Sequence, residues 1–157
     1  MSVAVVVEPL ARHRTLLPLV ARWFTSEWPN WYGPGGRGDI AKDLEASAAS
    51  EQNLPVGLVV FEHGVPIGAA ALKAESVPTH THLSPWAAAG FVLPEFRGRG
   101  IGSSLLAKLV VKARELGYQH VYCGTSTSES LLVRAGWSVV ELTQHEGKTL
   151  TIFSSAA

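Results

Sequence analysis

Two arginines alternate with glycines at Arg97-Gly98-Arg99-Gly100-Ile101-Gly102, a pattern suited to binding an anion. Glycines let an anion approach the main chain without meeting a Cβ. Arg97, Arg99, Lys108, Lys112 and Arg114 follow with no Asp or Glu among them, in a chain of zero formal net charge. The basic charge is therefore local to this stretch. Where such a turn opens a helix, the first N–H groups have no intrahelical partner and the helix dipole favours negative charge. The implied chemistry is the binding of a phosphate or diphosphate. The bland alternative is a tight turn with solvated arginines.

The flanking elements fit the first reading. After Trp86, the apolar run Ala87 to Leu93 reads as a buried strand, which Pro94 ends because proline cannot donate to a ladder. On the other side Ile101, Leu105, Leu106, Leu109, Val110 and Ala113 recur at helical spacing. Ser104, Lys108, Lys112 and Glu115 take the opposite face, and Gly117 supplies a stop. Two nucleotide motifs are excluded. The turn lacks the Gly-Lys-Ser/Thr ending of a P-loop and the GxGxxG spacing of a dinucleotide fold.

What the turn does match is the [RQ]xxGx[GA] signature, with Arg97, Gly100 and Gly102 in its defining places. With the Val92-x-Pro94 before it and the Leu-rich helix after it, the chain resembles the GNAT superfamily of acetyl-CoA-dependent N-acetyltransferases. The resemblance is specific from Trp86 to Trp137 and weak before that.

The remaining elements read in order as follows. Val3 to Val7 is a β-branched strand, and Leu10 to Glu27 a helix in which Pro18 either interrupts or marks the true first turn. Glu27 to Gly38, EWPNWYGPGGRG, reads as a loop. Its Trp28, Trp31 and Tyr32 form either a small plug or the wall of a binding site. Asp39 to Ser50 is a second helix with Asp39 as N-cap. Leu54 to Glu62 and Val65 to Lys73 form a hairpin about His63-Gly64. Ala74 to Pro85 is a polar loop. After the central helix come a strand His120 to Thr125, a short helix Ser128 to Ala135, and a hairpin of Trp137 to Leu142 with Thr149 to Phe153. The order βααβββαβαββ matches the GNAT arrangement. It implies an α/β (α+β) fold, with a central, mostly antiparallel mixed sheet flanked by helices. The chain, residues 1–157, is expected to form one domain.

Composition limits the alternatives. Hydrophobic residues at 46% and charged ones at 17% indicate a globular chain with no general attraction to nucleic acid or anionic membranes. One cysteine, Cys123, excludes an internal disulfide. No signal peptide or membrane span is evident, so the cytoplasm is the expected compartment. Neither an HxH at His80 and His82 nor the single cysteine makes a metal site, and no metal is expected. A homodimer is compatible with the resemblance.

The resemblance also assigns roles. Arg97 to Gly102, with Gly98, Arg99, Gly100, Ile101 and Ser103 beyond, would wrap the pyrophosphate of coenzyme A. The pantetheine arm would lie along the strand edge at Gly90 and Val92, as an added strand does. An N–H near Val92 would polarise the thioester carbonyl while an amine attacks directly. Thr125 occupies the family's asparagine position and can reach the arm. Glu27, Trp28, Trp31 and Tyr32 lie where the superfamily recognises its acceptor, a small amine or a peptide N-terminus.

One departure stands out. Many relatives carry a tyrosine four residues before the glycine corresponding to Gly136, and here that position is Leu132, which donates no proton. Loss of a positioned acid costs about 10²–10⁴-fold, yet a thiol of pKa about 8.5 leaves fairly well unaided. His82, Tyr122, Ser128 and Ser130 are weak substitutes as acid or base. His80, Glu62 and Glu75 read as bland surface groups, and Cys123 as an inert core thiol. The alternative to an enzyme is a catalytically weak sensor that binds acyl-CoA without turnover.

Overall fold

The computed structural model describes residues 5–157. Val3, expected to open the first strand, lies outside the described residues. The strand itself, β1, runs Val5–Pro9. Short 3-10 turns at Leu10–Arg12 and Arg14–Leu16 lead into α1, Leu17–Glu27. The long helix expected from Leu10 is thus confined to its second half. Pro18 stands in its first turn, where a missing N–H costs nothing.

The aromatic segment differs from the expected loop by one helical turn, α2, Pro29–Tyr32. α3, Ile40–Ser47, begins as expected: the Asp39 carboxylate accepts from the Lys42 N–H at 3.1 Å. β2 (Val56–Glu62) and β3 (Val65–Lys73) form the hairpin, with both His63 and Gly64 at positive φ, the geometry a two-residue turn requires. Then follow β4 (Trp86–Val92), α4 (Ile101–Glu115), β5 (His120–Thr125) and α5 (Glu129–Arg134). The last hairpin, β6 (Ser138–His145) and β7 (Lys148–Ala156), is longer than the sequence suggests, and Trp137 is buried just before it.

The seven strands make one sheet in the order β1-β2-β3-β4-β5-β7-β6, antiparallel except for β4 beside β5. α4 covers one face with Ile101, Leu105, Leu106, Leu109 and Ala113 buried against Val56, Leu58, Ile67, Leu72 and Val121. Burial of each large aliphatic chain is worth about 1.5–3 kcal/mol, enough to hold the start of α4 rigidly against the sheet. The other face is covered twice. α1 and α3 lay Val20, Trp23, Phe24 and Leu44 over the first strands. Beyond them Val77, Trp86 and Ile152 form a smaller cluster beneath the 74–85 segment. No helix among the described residues is long and apolar enough to cross a membrane.

Candidate active site

A bulge in β4 shapes the candidate site. β3 and β4 are in register at Ala71↔Ala88 and again at Ala69↔Phe91, so Ala89 and Gly90 together oppose the single Ala70. Ala89 adopts φ 53°, a left-handed position that costs a non-glycine residue about 1–2 kcal/mol. A bulge bends its strand and sharpens its twist. The consequence is visible one strand over: β4 pairs with β5 only at Trp86↔Tyr122, beyond which the two strands part.

The polar edge of β4 faces that gap. The Leu93 N–H donates to the Ile67 carbonyl at 2.9 Å. Bonded and non-bonded pairs alternate in an antiparallel ladder. The adjoining Gly68↔Val92 pair is therefore non-bonded, and the N–H and C=O of Val92 point away from β3 into the gap. Gly90 is exposed beside it, and a Cβ built there meets no atom within 4 Å.

At the wide end stands the RGRGIG turn. Gly98 and Gly100 take φ 79° and 82°, a conformation glycine adopts without steric cost. No side chain caps the start of α4. The N–H groups of Ile101, Gly102 and Ser103 have no intrahelical acceptor, and the first helical bond runs from Ser104 N–H to the Gly100 carbonyl at 3.1 Å. These donors are able to hold a diphosphate. Both arginines bend back onto the protein. Arg97 donates through Nε to the Val92 carbonyl at 2.7 Å, lies over the Phe91 ring, and pairs with Glu27 at 3.4 Å. Arg99 lies over Phe96 and reaches Glu62 at 3.8 Å. The Arg97–Glu27 pair is exposed and worth at most about 1 kcal/mol, so an arriving phosphate can displace it. Glu62, expected at the surface, is instead largely buried beside Arg99.

Beside this lies a cavity of about 420 Å³ between α1–α2 and the tip of the β6–β7 hairpin. Glu27, Trp28 and Trp31 line it, as do Arg37, Glu146 and Lys148. Trp28 packs edge-on to Phe24 with centroids 5.0 Å apart, and Trp31 is exposed. Tyr32 does not line the cavity. Its hydroxyl donates to Asp43 at 2.6 Å, and burial, then this bond, push its phenol well above the ordinary range. The aromatic trio is thus divided, with Tyr32 fastening α2 to α3 and the tryptophans facing the cavity. Sequence reading missed Arg37, Glu146 and Lys148, because hairpin-tip charges 109 residues from Arg37 carry no local signal.

The acid and base candidates scatter. Leu132 is 1% exposed and packs in the α4-side core. Ser130 is exposed on α5. Tyr122 leans on Trp86 with ring centroids 5.8 Å apart, at the closed end of the gap. His82 is exposed and stacks on His80. His80, expected at the surface, is instead buried: one ring nitrogen meets Thr79 Oγ1 at 2.7 Å and the other Glu141, tying the 74–85 segment to β6. Thr125 is buried, and its hydroxyl oxygen accepts from the N–H groups of Thr127 and Ser128, which shapes the approach to α5. Burial pushes the Cys123 thiol up to about 11. Among the described residues no group of three or more His, Cys, Asp or Glu is placed to hold a metal ion.

Comparison with known proteins agrees with this fold. The fold is similar to that of yncA from Salmonella typhimurium, solved with its cofactor acetyl-CoA. The two share 18% identity and a TM-score of 0.74, over 98% of this chain and 94% of that one. An aminoglycoside 6′-N-acetyltransferase complexed with coenzyme A gives a TM-score of 0.77 at 12% identity, covering 96% of both chains. A ribosomal-protein-alanine N-acetyltransferase from Brucella melitensis gives 0.71 at 18% identity, over 97% of this chain and 99% of that one. Comparison with curated proteins returns no match. At these identities the likeness establishes the fold. The model of the acetyltransferase (GNAT) family matches residues 17–134, from the start of α1 to the end of α5, and the chain belongs to that family.

Proposed function

We propose that the protein transfers the acetyl group of acetyl-CoA to the nitrogen of a primary amine, a small amine or a peptide N-terminus. The observation that carries this reading is the gap between β4 and β5, open to the main-chain edge at Gly90 and Val92 and ending at the uncapped start of α4. A free main-chain edge that leads to an uncapped helix start suits a thin, amide-bearing arm that ends in a diphosphate. The neighbours solved with acetyl-CoA and with coenzyme A support it.

In this reading the N–H groups from Gly98 to Ser103 receive the diphosphate, and Arg97 and Arg99 exchange their internal partners for it. Val92 offers its N–H to a carbonyl of the donor. A donor fixed there stabilises an oxyanion better than the planar ground state. The amine arrives from the cavity walled by Glu27, Trp28 and Trp31, where a cation gains from the aromatic faces. It attacks the thioester carbon directly, the C–S bond breaks, and the amine proton passes to solvent. With Leu132 in the core, no side chain is assigned as acid, and the thiolate departs on its own low basicity.

The test is CoA release by the purified chain from acetyl-CoA across a library of amines and short peptides, with acetyl-CoA binding measured in parallel. Turnover with one acceptor class is the expected result. Tight binding without turnover would favour an acyl-CoA sensor, the reading that the buried Leu132 supports. Absence of binding would refute both.

A further inference from the structure

The charges around the acceptor cavity restrict what it takes. Glu27 and Glu146 are the acids on its wall, and Arg37 and Lys148 the bases. Each acid already faces an arginine at 3.4 Å, Glu27 meeting Arg97 and Glu146 meeting Arg37. Among the described residues Lys148 alone of the four has no ion-pair partner. A polycationic acceptor needs free carboxylates and pays for like charge placed against it. This wall offers it an unpaired ammonium instead. The whole chain, with zero formal net charge, adds no attraction for polycations.

One acid becomes available as the donor binds. Arg97 belongs both to the diphosphate turn and to the Glu27 pair. When a diphosphate draws Arg97, Glu27 is released at the cavity wall. The loaded site then presents a free carboxylate, a free ammonium, and two indoles in a volume of about 420 Å³, within the range of small-molecule sites.

We propose that the acceptor is a small zwitterion, an amino acid whose ammonium meets Glu27, whose carboxylate meets Lys148, and whose side chain rests on Trp28 and Trp31. The proposal rests on the acetyl-transfer reading and narrows its acceptor from amines in general to amines bearing a carboxylate. Donor and acceptor are coupled through Arg97, so the acceptor binds more tightly once coenzyme A is in place.

The experiment pairs the common amino acids with their decarboxylated amines and adds spermidine as a polycation. Each is titrated calorimetrically into the full chain with and without saturating CoA, and each is assayed for CoA release from acetyl-CoA. For at least one pair the amino acid is expected to bind about tenfold tighter than its amine, through a charge-assisted contact. Lys148→Gln is expected to bring that ratio close to one. Lys148 is exposed, and an unchanged melting temperature confirms that the variant is folded. The proposal is overturned if every amine binds as tightly as its amino acid, if spermidine binds best, or if Lys148→Gln leaves the ratio intact. Carboxylate-dependent binding without CoA release would support the zwitterion site and refute the transferase. CoA release indifferent to the carboxylate would refute the zwitterion site alone. Neither binding nor release would overturn both.

Discussion

Gly90 separates the cofactor reading from a purely structural one. Its φ lies outside the left-handed region, and a Cβ built there meets nothing within 4 Å, so neither conformation nor packing demands glycine. Gly90→Val is therefore expected to leave the fold intact. A β-branched residue in a strand even gains about 0.5–1 kcal/mol over glycine through the unfolded chain. If the donor's arm runs along β4, the added carbons stand beside the Val92 N–H and push the arm off the edge. Each displaced main-chain hydrogen bond costs about 0.5–1.5 kcal/mol, and the steric misfit adds about 1–3 kcal/mol. A total near 2–4 kcal/mol corresponds to roughly 30- to 1,000-fold weaker binding. Calorimetric titration of acetyl-CoA, with a thermal melt of each variant, measures both halves, and Gly90→Ala should fall between. A folded Gly90→Val that binds acetyl-CoA within about twofold of wild type would show that the β4–β5 gap is not the arm's site.

Three other perturbations test separate parts. Arg97→Ala should weaken coenzyme A about 10- to 100-fold, the worth of a charged phosphate contact, with a smaller salt dependence. Unaltered affinity and salt response would show that Arg97 serves only Val92 and Glu27. Leu132→Ala removes a 1%-exposed core side chain and should cost about 2–5 kcal/mol in denaturant unfolding. A loss under about 1 kcal/mol would contradict its placement against α4. The Cys123 thiol, raised from 9.0 to about 11, stays protonated in the folded state after the unfolded chain has lost the proton. Between those values the native state binds more protons, so stability falls as pH rises, by up to about 2–3 kcal/mol from this group. Unfolding curves of wild type and Cys123→Ala across that window should converge in slope only if this is wrong. At neutral pH Cys123 should also resist alkylation until the chain unfolds.

Local signals account for what could be read in the chain. The RGRGIG turn was legible because its requirements are local. Positive φ at Gly98 and Gly100 and an uncapped helix start depend on neighbours within a few residues. The same holds for α4, whose apolar stripe has the helical period, for the His63-Gly64 hairpin, and for the Asp39 cap. Boundaries failed where competing interactions are nonlocal. The pattern from Leu10 to Leu16 resembles a helix, yet the chain there turns to lay Leu10 under Ala48 and Val59. β6 and β7 extend past their apolar cores because each ladder supplies the other's hydrogen bonds.

The strand-turn-helix at Trp86 to Glu115, the family and the departure at Leu132 were all legible from sequence. Each is written within a short stretch, over which backbone sterics and hydrogen-bond geometry decide. The bulge at Ala89 and Gly90, the parting of β4 from β5, and the turning of Arg97 onto Glu27 emerged from packing between segments. Packing also divided the aromatic trio and brought Lys148 to the cavity that Trp28 and Trp31 line. These features arise where strands and loops distant in sequence are forced to share space. Their energies belong to the contact between segments, and neither segment carries them alone.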